Sequence, residues 1–207
     1  VGNALLRSVP NGATEMGLFH AANYLRMLAL FLPAAVAPVM LPLLMEALAQ
    51  DAEDQGRQFR RTVSLNTRVI GGLIFPLAVV LLCGARGIMV VVYGEPFGPG
   101  WGALGLVAVA VAFQALGSSV GQVLTSRARM WLALGVNCWT AGVFIALAWL
   151  LTARWGAIGL AAAHALAMFQ HAGVIMVLRQ QVLEAPISRS EIRLLSASIV
   201  LMGVAGL

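Results

Sequence analysis

Five long intervals of this chain carry no Asp, Glu, Lys or Arg: residues 27–45, 69–85, 96–126, 130–153 and 155–178. With their polar borders they predict helices near 17–46, 65–83, 101–125, 131–151 and 155–178, and a further one running from about 193 to 207. A helix rises about 1.5 Å per residue, so about 20 apolar residues cross a hydrocarbon layer of about 30 Å. Strands of a membrane β-barrel would be about 9–11 residues long and alternate apolar with polar, and no such alternation is visible. The expected fold is therefore all-α: a polytopic membrane helical bundle with about five full transmembrane helices and a truncated sixth. Residues 1–16 read as the extracytoplasmic end of a preceding helix or loop. Residues 17–178 read as the bundle, and 179–207 as a cytoplasmic loop and the start of a further span. The chain opens on Val1 and closes inside an apolar run from Leu194, as expected of a fragment.

Composition agrees. The 207 residues are 60% hydrophobic and 10% charged, with a mean hydropathy of +0.90. Soluble domains are nearer 45–50% apolar and about 25% charged. The net charge of +5 comes from 13 basic residues, all Arg, scattered too widely for a nucleic-acid surface. Their placement sets an orientation instead. Arg57, Arg60 and Arg61 fall in one loop, Arg127 and Arg129 in a second, and Arg179, Arg189 and Arg193 in a third, all on one side if every span crosses once. Arg7, Arg86 and Arg154 fall on the other. Basic residues accumulate in cytoplasmic loops, which places the first set inside. Trp101, Trp131, Trp149 and Trp155 mark helix ends, where an indole prefers the interface, while Trp139 is mid-span and reads as a packing residue.

Between the second and third spans, residues 84–99 are broken by Gly and Pro, leaving room for a short interfacial helix over 88–93. Residues 49–62, acidic first and basic last, suit a short cytoplasmic helix or a solvated linker. Cys83 and Cys138 lie in apolar runs and read as small buried hydrophobes.

Enzyme motifs and metal-ligand spacings are absent, so neither catalysis nor a cofactor is expected. His164 and His171, seven apart on one helical face, have no further ligands beside them and suit packing or an interhelical hydrogen bond. The first span is the informative one. Pro33, Pro38 and Pro42 each remove a backbone donor. In a membrane such helices kink for packing or line a moving, wetted cavity. His20, Asn23 and Arg26 form one slanting polar stripe, bordered by Tyr24. An Arg at this depth costs about 2.5–3.5 kcal/mol on insertion scales unless wetted or paired, and its own helix supplies no acid at three or four residues' spacing. Either it faces a watery cavity, where a guanidinium suits phosphate oxygens, or it snorkels to the interface. In the third span, Gln114, Ser118 and Gln122 form a stripe beside Gly117 and Gly121, a pattern that favours close helix packing; Asn137 with Thr140 reads likewise. Asn66 and Arg68 open the second span and are candidates for a cavity mouth.

Three stretches carry a family resemblance: 15–46 (EMGLFHAANYLRMLALFLPAAVAPVMLPLLME), 113–133 (FQALGSSVGQVLTSRARMWLA) and 153–163 (ARWGAIGLAAA). In order and content they resemble the C-terminal half of the polysaccharide-transporter branch (O-antigen and exopolysaccharide flippases) of the MATE-like superfamily of multidrug, oligosaccharidyl-lipid and polysaccharide exporters. The resemblance implies two six-helix bundles around a central cavity with alternating access, in the bacterial inner membrane. It implies a polyprenyl-pyrophosphate-linked oligosaccharide as cargo, membrane lipids as surroundings, and other polysaccharide-assembly proteins as partners. Its cavity would map here onto His20, Asn23 and Arg26. A peptidoglycan lipid-precursor flippase and a MATE-type drug exporter are the alternatives within transport. A membrane glycan polymerase or ligase is the alternative of another class, though it would be expected to carry a larger external loop.

Overall fold

The structure, a computed structural model, describes residues 2–7, 11–49, 56–181 and Ser196. These form helices α1 (Gly2–Arg7), α2 (Gly12–Ala49), α3 (Arg57–Cys83), α4 (Ala85–Tyr93), a 3₁₀ turn (Glu95–Gly100), α5 (Trp101–Ser126) and α6 (Met130–Gln181), with no strand among the described residues. Four helices (α2, α3, α5 and α6) are long and apolar enough to cross a membrane. The chain is thus an all-α helical bundle and a multi-pass membrane protein. The further span expected over 193–207 lies outside the described residues apart from Ser196.

α6 is a hairpin of two helices. At Gly156 the backbone takes φ 53° and ψ −128°, outside the helical region. Residues on either side then pair antiparallel: Thr140 with His171, Phe144 with His164, and the Leu151 carbonyl against Gly159. The fourth long run therefore holds the fourth and fifth traverses expected from the sequence, at 130–155 (α6a) and 157–181 (α6b). Two features make the turn possible. Glycine alone tolerates this backbone at little cost, and Glu15 from the first turn of α2 accepts a 2.7 Å hydrogen bond from the Ala157 N–H. The carboxylate thereby satisfies one of the unpaired donors that open α6b, at the positive end of its dipole.

α5 is the central helix, packed against α2, α3 and α6. The core runs along it in layers. At one end Leu44, Phe59, Val63, Val120, Val123, Val136 and Ile175 meet. Midway, Ala29, Ile70 and Ile74 pack on Ala108, Val111 and Ala115. At the other end Ala21, Ala22, Ala85 and Met89 pack on Ala103, Leu104 and Val107, with Leu6, Ala148, Leu160 and Ala163 beside them. This register makes successive traverses antiparallel. It gathers Arg57, Arg60, Arg61, Arg127, Arg129 and Arg179 at the first end and Arg7, Arg86 and Arg154 at the second. Arg127 lies over the Phe59 ring, 4.7 Å from its centroid, which ties the first two basic loops together.

Several expectations are corrected. α2 runs as one helix from Gly12 to Ala49, with Pro33, Pro38 and Pro42 inside it. Each still leaves the carbonyl four residues earlier without its helical donor. The basic part of residues 49–62 opens α3 instead of closing a separate helix, and 50–55 lie outside the described residues. Residues 2–7 form a helix whose Leu6 is buried against α6a and α6b. The external helix begins at Ala85, earlier than expected. Cys83 and Cys138 are exposed on the bundle's outside rather than buried. Trp139, 61% exposed, faces outward too, because α6a borders the bundle and packs only one side.

Candidate functional site

A cavity of about 760 Å³ opens between α2, α5, α6a and α6b, within the range of ligand-binding sites. α2 contributes His20, Asn23 and Arg26 to its wall, at successive three-residue steps that keep them on one slanting face. α5 contributes Gln114 and Ser118, one helical turn apart. The α6 hairpin contributes Asn137 and Thr140 from its first arm and His164 and His171 from its second. The rest of the lining is mainly apolar or small, with Phe144 the large ring facing His164 edge-on at 5.7 Å.

The guanidinium of Arg26 is held from two helices. Its Nε donates to Asn23 Oδ1 at 2.8 Å, and one terminal nitrogen donates to Gln114 Oε1 at 2.9 Å. Both acceptors are neutral amides that orient the charge without cancelling it. They use two of the five N–H donors of the group. No Asp or Glu lines the cavity among the described residues. Arg26 thus turns inward, the first of the two arrangements open to it from sequence.

The opposite wall has its own order. Thr140 Oγ1 donates to the Val136 carbonyl at 2.9 Å and lies 2.9 Å from His171 Nδ1. The hydroxyl and the ring nitrogen thus share a hydrogen bond across the two arms of the hairpin. The imidazole fits because Gly117 has no side chain: a Cβ there would stand 2.7 Å from His171 Cδ2. Gly117 therefore serves a helix contact that sets a cavity residue, whereas Gly121, its partner in the GxxxG spacing, meets no neighbouring atom and lines the cavity. His164 Nε2 is buried without a hydrogen-bond partner among the described residues.

Other expected site residues lie elsewhere. Tyr24 is 63% exposed and points out of the bundle; it stacks loosely on His20 but does not line the cavity. Asn66 is fully buried and donates to Gln122 Oε1 at 3.0 Å and, more weakly, to the Ser119 carbonyl, binding α3 to α5 instead of forming a mouth. Arg68 is exposed on the far side of α3, in a separate depression with Arg57 and Arg61. Of the prolines, Pro33 is buried while Pro38 and Pro42 are exposed, and none lines the cavity. Gln114, Ser118, Asn137, Thr140, His164 and His171 all read as packing residues in the sequence. Their polar spacing was legible, but a period shows only that residues share a face, not what that face meets. No cluster of three or more His, Cys, Asp or Glu suited to a metal ion occurs among the described residues.

Comparison with protein-family models, with curated proteins and with solved structures finds no match to this chain.

Proposed function

We propose that this chain forms the cargo-binding bundle of a bacterial inner-membrane flippase, one that moves polyprenyl-pyrophosphate-linked oligosaccharide from the inner to the outer leaflet for cell-surface polysaccharide assembly. The observation that carries the reading is Arg26: an inward guanidinium, positioned by Asn23 and Gln114, in a cavity with no acid along its described wall. A cation held this way is complementary to a diphosphate, to which a guanidinium can present two parallel N–H groups. The neutral donors and acceptors across the cavity suit sugar hydroxyls. A cationic drug would meet repulsion from Arg26, which disfavours an exporter of that kind. The family resemblance of α2 supports the same reading. A peptidoglycan-precursor flippase would use the same diphosphate chemistry, and the glycan decides between the two.

The test is translocation of a fluorescent polyprenyl-pyrophosphate glycan in proteoliposomes, with leaflet exposure read by quenching. Arg26→Ala should reduce the rate at least about tenfold, the loss expected when about 1.4 kcal/mol of interaction is removed. Arg26→Lys, which keeps the charge but not the fork, should retain partial activity. Normal translocation by both variants refutes the proposal.

A further inference from the structure

Gln114, Gly117 and Gly121 bring one face of α5 to the cavity. They are three or four residues apart, so each stands about one helical turn from the next. Two other helices meet this face at adjacent turns. From α2, Arg26 donates to Gln114 Oε1 at 2.9 Å. From α6b, His171 lies against Gly117, where a Cβ would stand 2.7 Å from Cδ2 and 2.8 Å from Nε2. The footholds of the two groups on α5 are therefore about 4.5 Å apart along its axis.

His171 is firmly placed. Thr140 Oγ1 lies 2.9 Å from Nδ1 and 2.9 Å from the Val136 carbonyl, so the ring is tied to α6a on one side and seated on α5 on the other. With Nδ1 taken, Nε2 is the nitrogen left for a ligand. His164, two turns away on the same helix, offers less. Its Nε2 is buried, and the Phe144 ring meets it edge-on at 5.7 Å, which closes that nitrogen to a ligand. On the Arg26 side, Asn23 and Gln114 use two of five N–H donors, and three remain.

We infer that His171 contacts the second phosphate of a lipid diphosphate whose first phosphate is held by Arg26, so that the pair selects a diphosphate over a monophosphate. The inference rests on the proposed function and assigns the residue that counts phosphates within it. Nε2 donates either as the Nε2–H tautomer or as an imidazolium, and a phosphate oxygen accepts from both. Two phosphates joined by one bridging oxygen suit donors presented on adjacent turns. A single phosphate at Arg26 leaves His171 without an anion.

Isothermal titration calorimetry of the purified chain in detergent micelles tests this with farnesyl phosphate and farnesyl diphosphate, which share a tail and differ by one phosphate. The wild type should bind the diphosphate at least about tenfold more tightly, as a hydrogen bond to a charged group allows. His171→Ala should cut that ratio at least about fivefold and leave the monophosphate affinity within about twofold. His171→Gln, which keeps an amide donor, should retain part of the ratio. A purely structural role would lower both affinities together and leave the ratio unchanged. Should His171→Ala not fold, His171→Gln must lower the ratio at least about twofold. Arg26→Ala should weaken both probes, and inorganic pyrophosphate should bind the wild type more weakly than farnesyl diphosphate. Equal binding of the two farnesyl probes to the wild type, or an unchanged ratio in the folded His171 variants, overturns the inference; if Arg26→Ala still weakens both probes, the proposed function stands. A wild type that binds neither farnesyl probe, or binds inorganic pyrophosphate as tightly as farnesyl diphosphate, overturns both.

Discussion

The Gly156 turn gives a sharp test of how the α6 hairpin is held. Replacing Gly156 with Ala perturbs it in two separable ways. A Cβ forces an L residue to keep φ near +53°, which costs about 1–2 kcal/mol. That Cβ would also stand 2.5 Å from Glu15 Oε2, so the carboxylate must leave and its bond to the Ala157 N–H is lost. A hydrogen bond to a charged group contributes about 1.5–3 kcal/mol. The single substitution should therefore destabilise the protein by about 2.5–5 kcal/mol. Glu15→Ala alone should cost only the hydrogen bond. With the carboxylate already gone, Gly156→Ala should cost only its backbone term, so the two effects should fall short of additive by about 1.5–3 kcal/mol. The assay is reversible unfolding in mixed micelles, followed by tryptophan fluorescence, for the wild type, both single variants and the double variant. Strict additivity would refute the claim that Glu15 and Gly156 form one unit. An unperturbed Gly156→Ala would refute the turn itself.

Two further outcomes are expected. Gly117→Ala should push the His171 ring off its seat and break its bond to Thr140, lowering stability by about 1–3 kcal/mol as overpacking does; in the same melting assay, Gly121→Ala, which meets no neighbouring atom, should be close to neutral. Cys83, exposed at the end of α3 beside Gly84, should react with a membrane-impermeant maleimide added from outside intact cells, while Cys138, about 12 Å into α6a on the outer surface, should stay unlabelled in the bilayer; a Cys83 that labels only after the membrane is opened would overturn the assigned orientation.

The hydrophobic pattern alone determined the fold class and the traverses. Twenty apolar residues without charge have one low-energy form in lipid, a helix that satisfies its own backbone, so span count and the sidedness of the Arg loops follow locally. Even the fourth and fifth spans, continuous in backbone assignment, were separable from Arg154 and the break in polarity around it. Individual roles were legible only in part. Arg26 signalled itself because an isolated charge in an apolar run is costly wherever it sits, yet its inward turn depends on Gln114, 88 positions away in sequence. Asn66 and Gln114 look alike in the sequence, each a polar residue in an apolar helix; one is locked between α3 and α5 and the other faces the cavity, because helix rotation is set by neighbours. The same holds for the histidines, which face Arg26's cavity only because Gly156 folds α6 back with Glu15 at its turn. Periodicity places residues on a common face of one helix, and only the packing of several helices decides whether that face meets lipid, protein or a cavity.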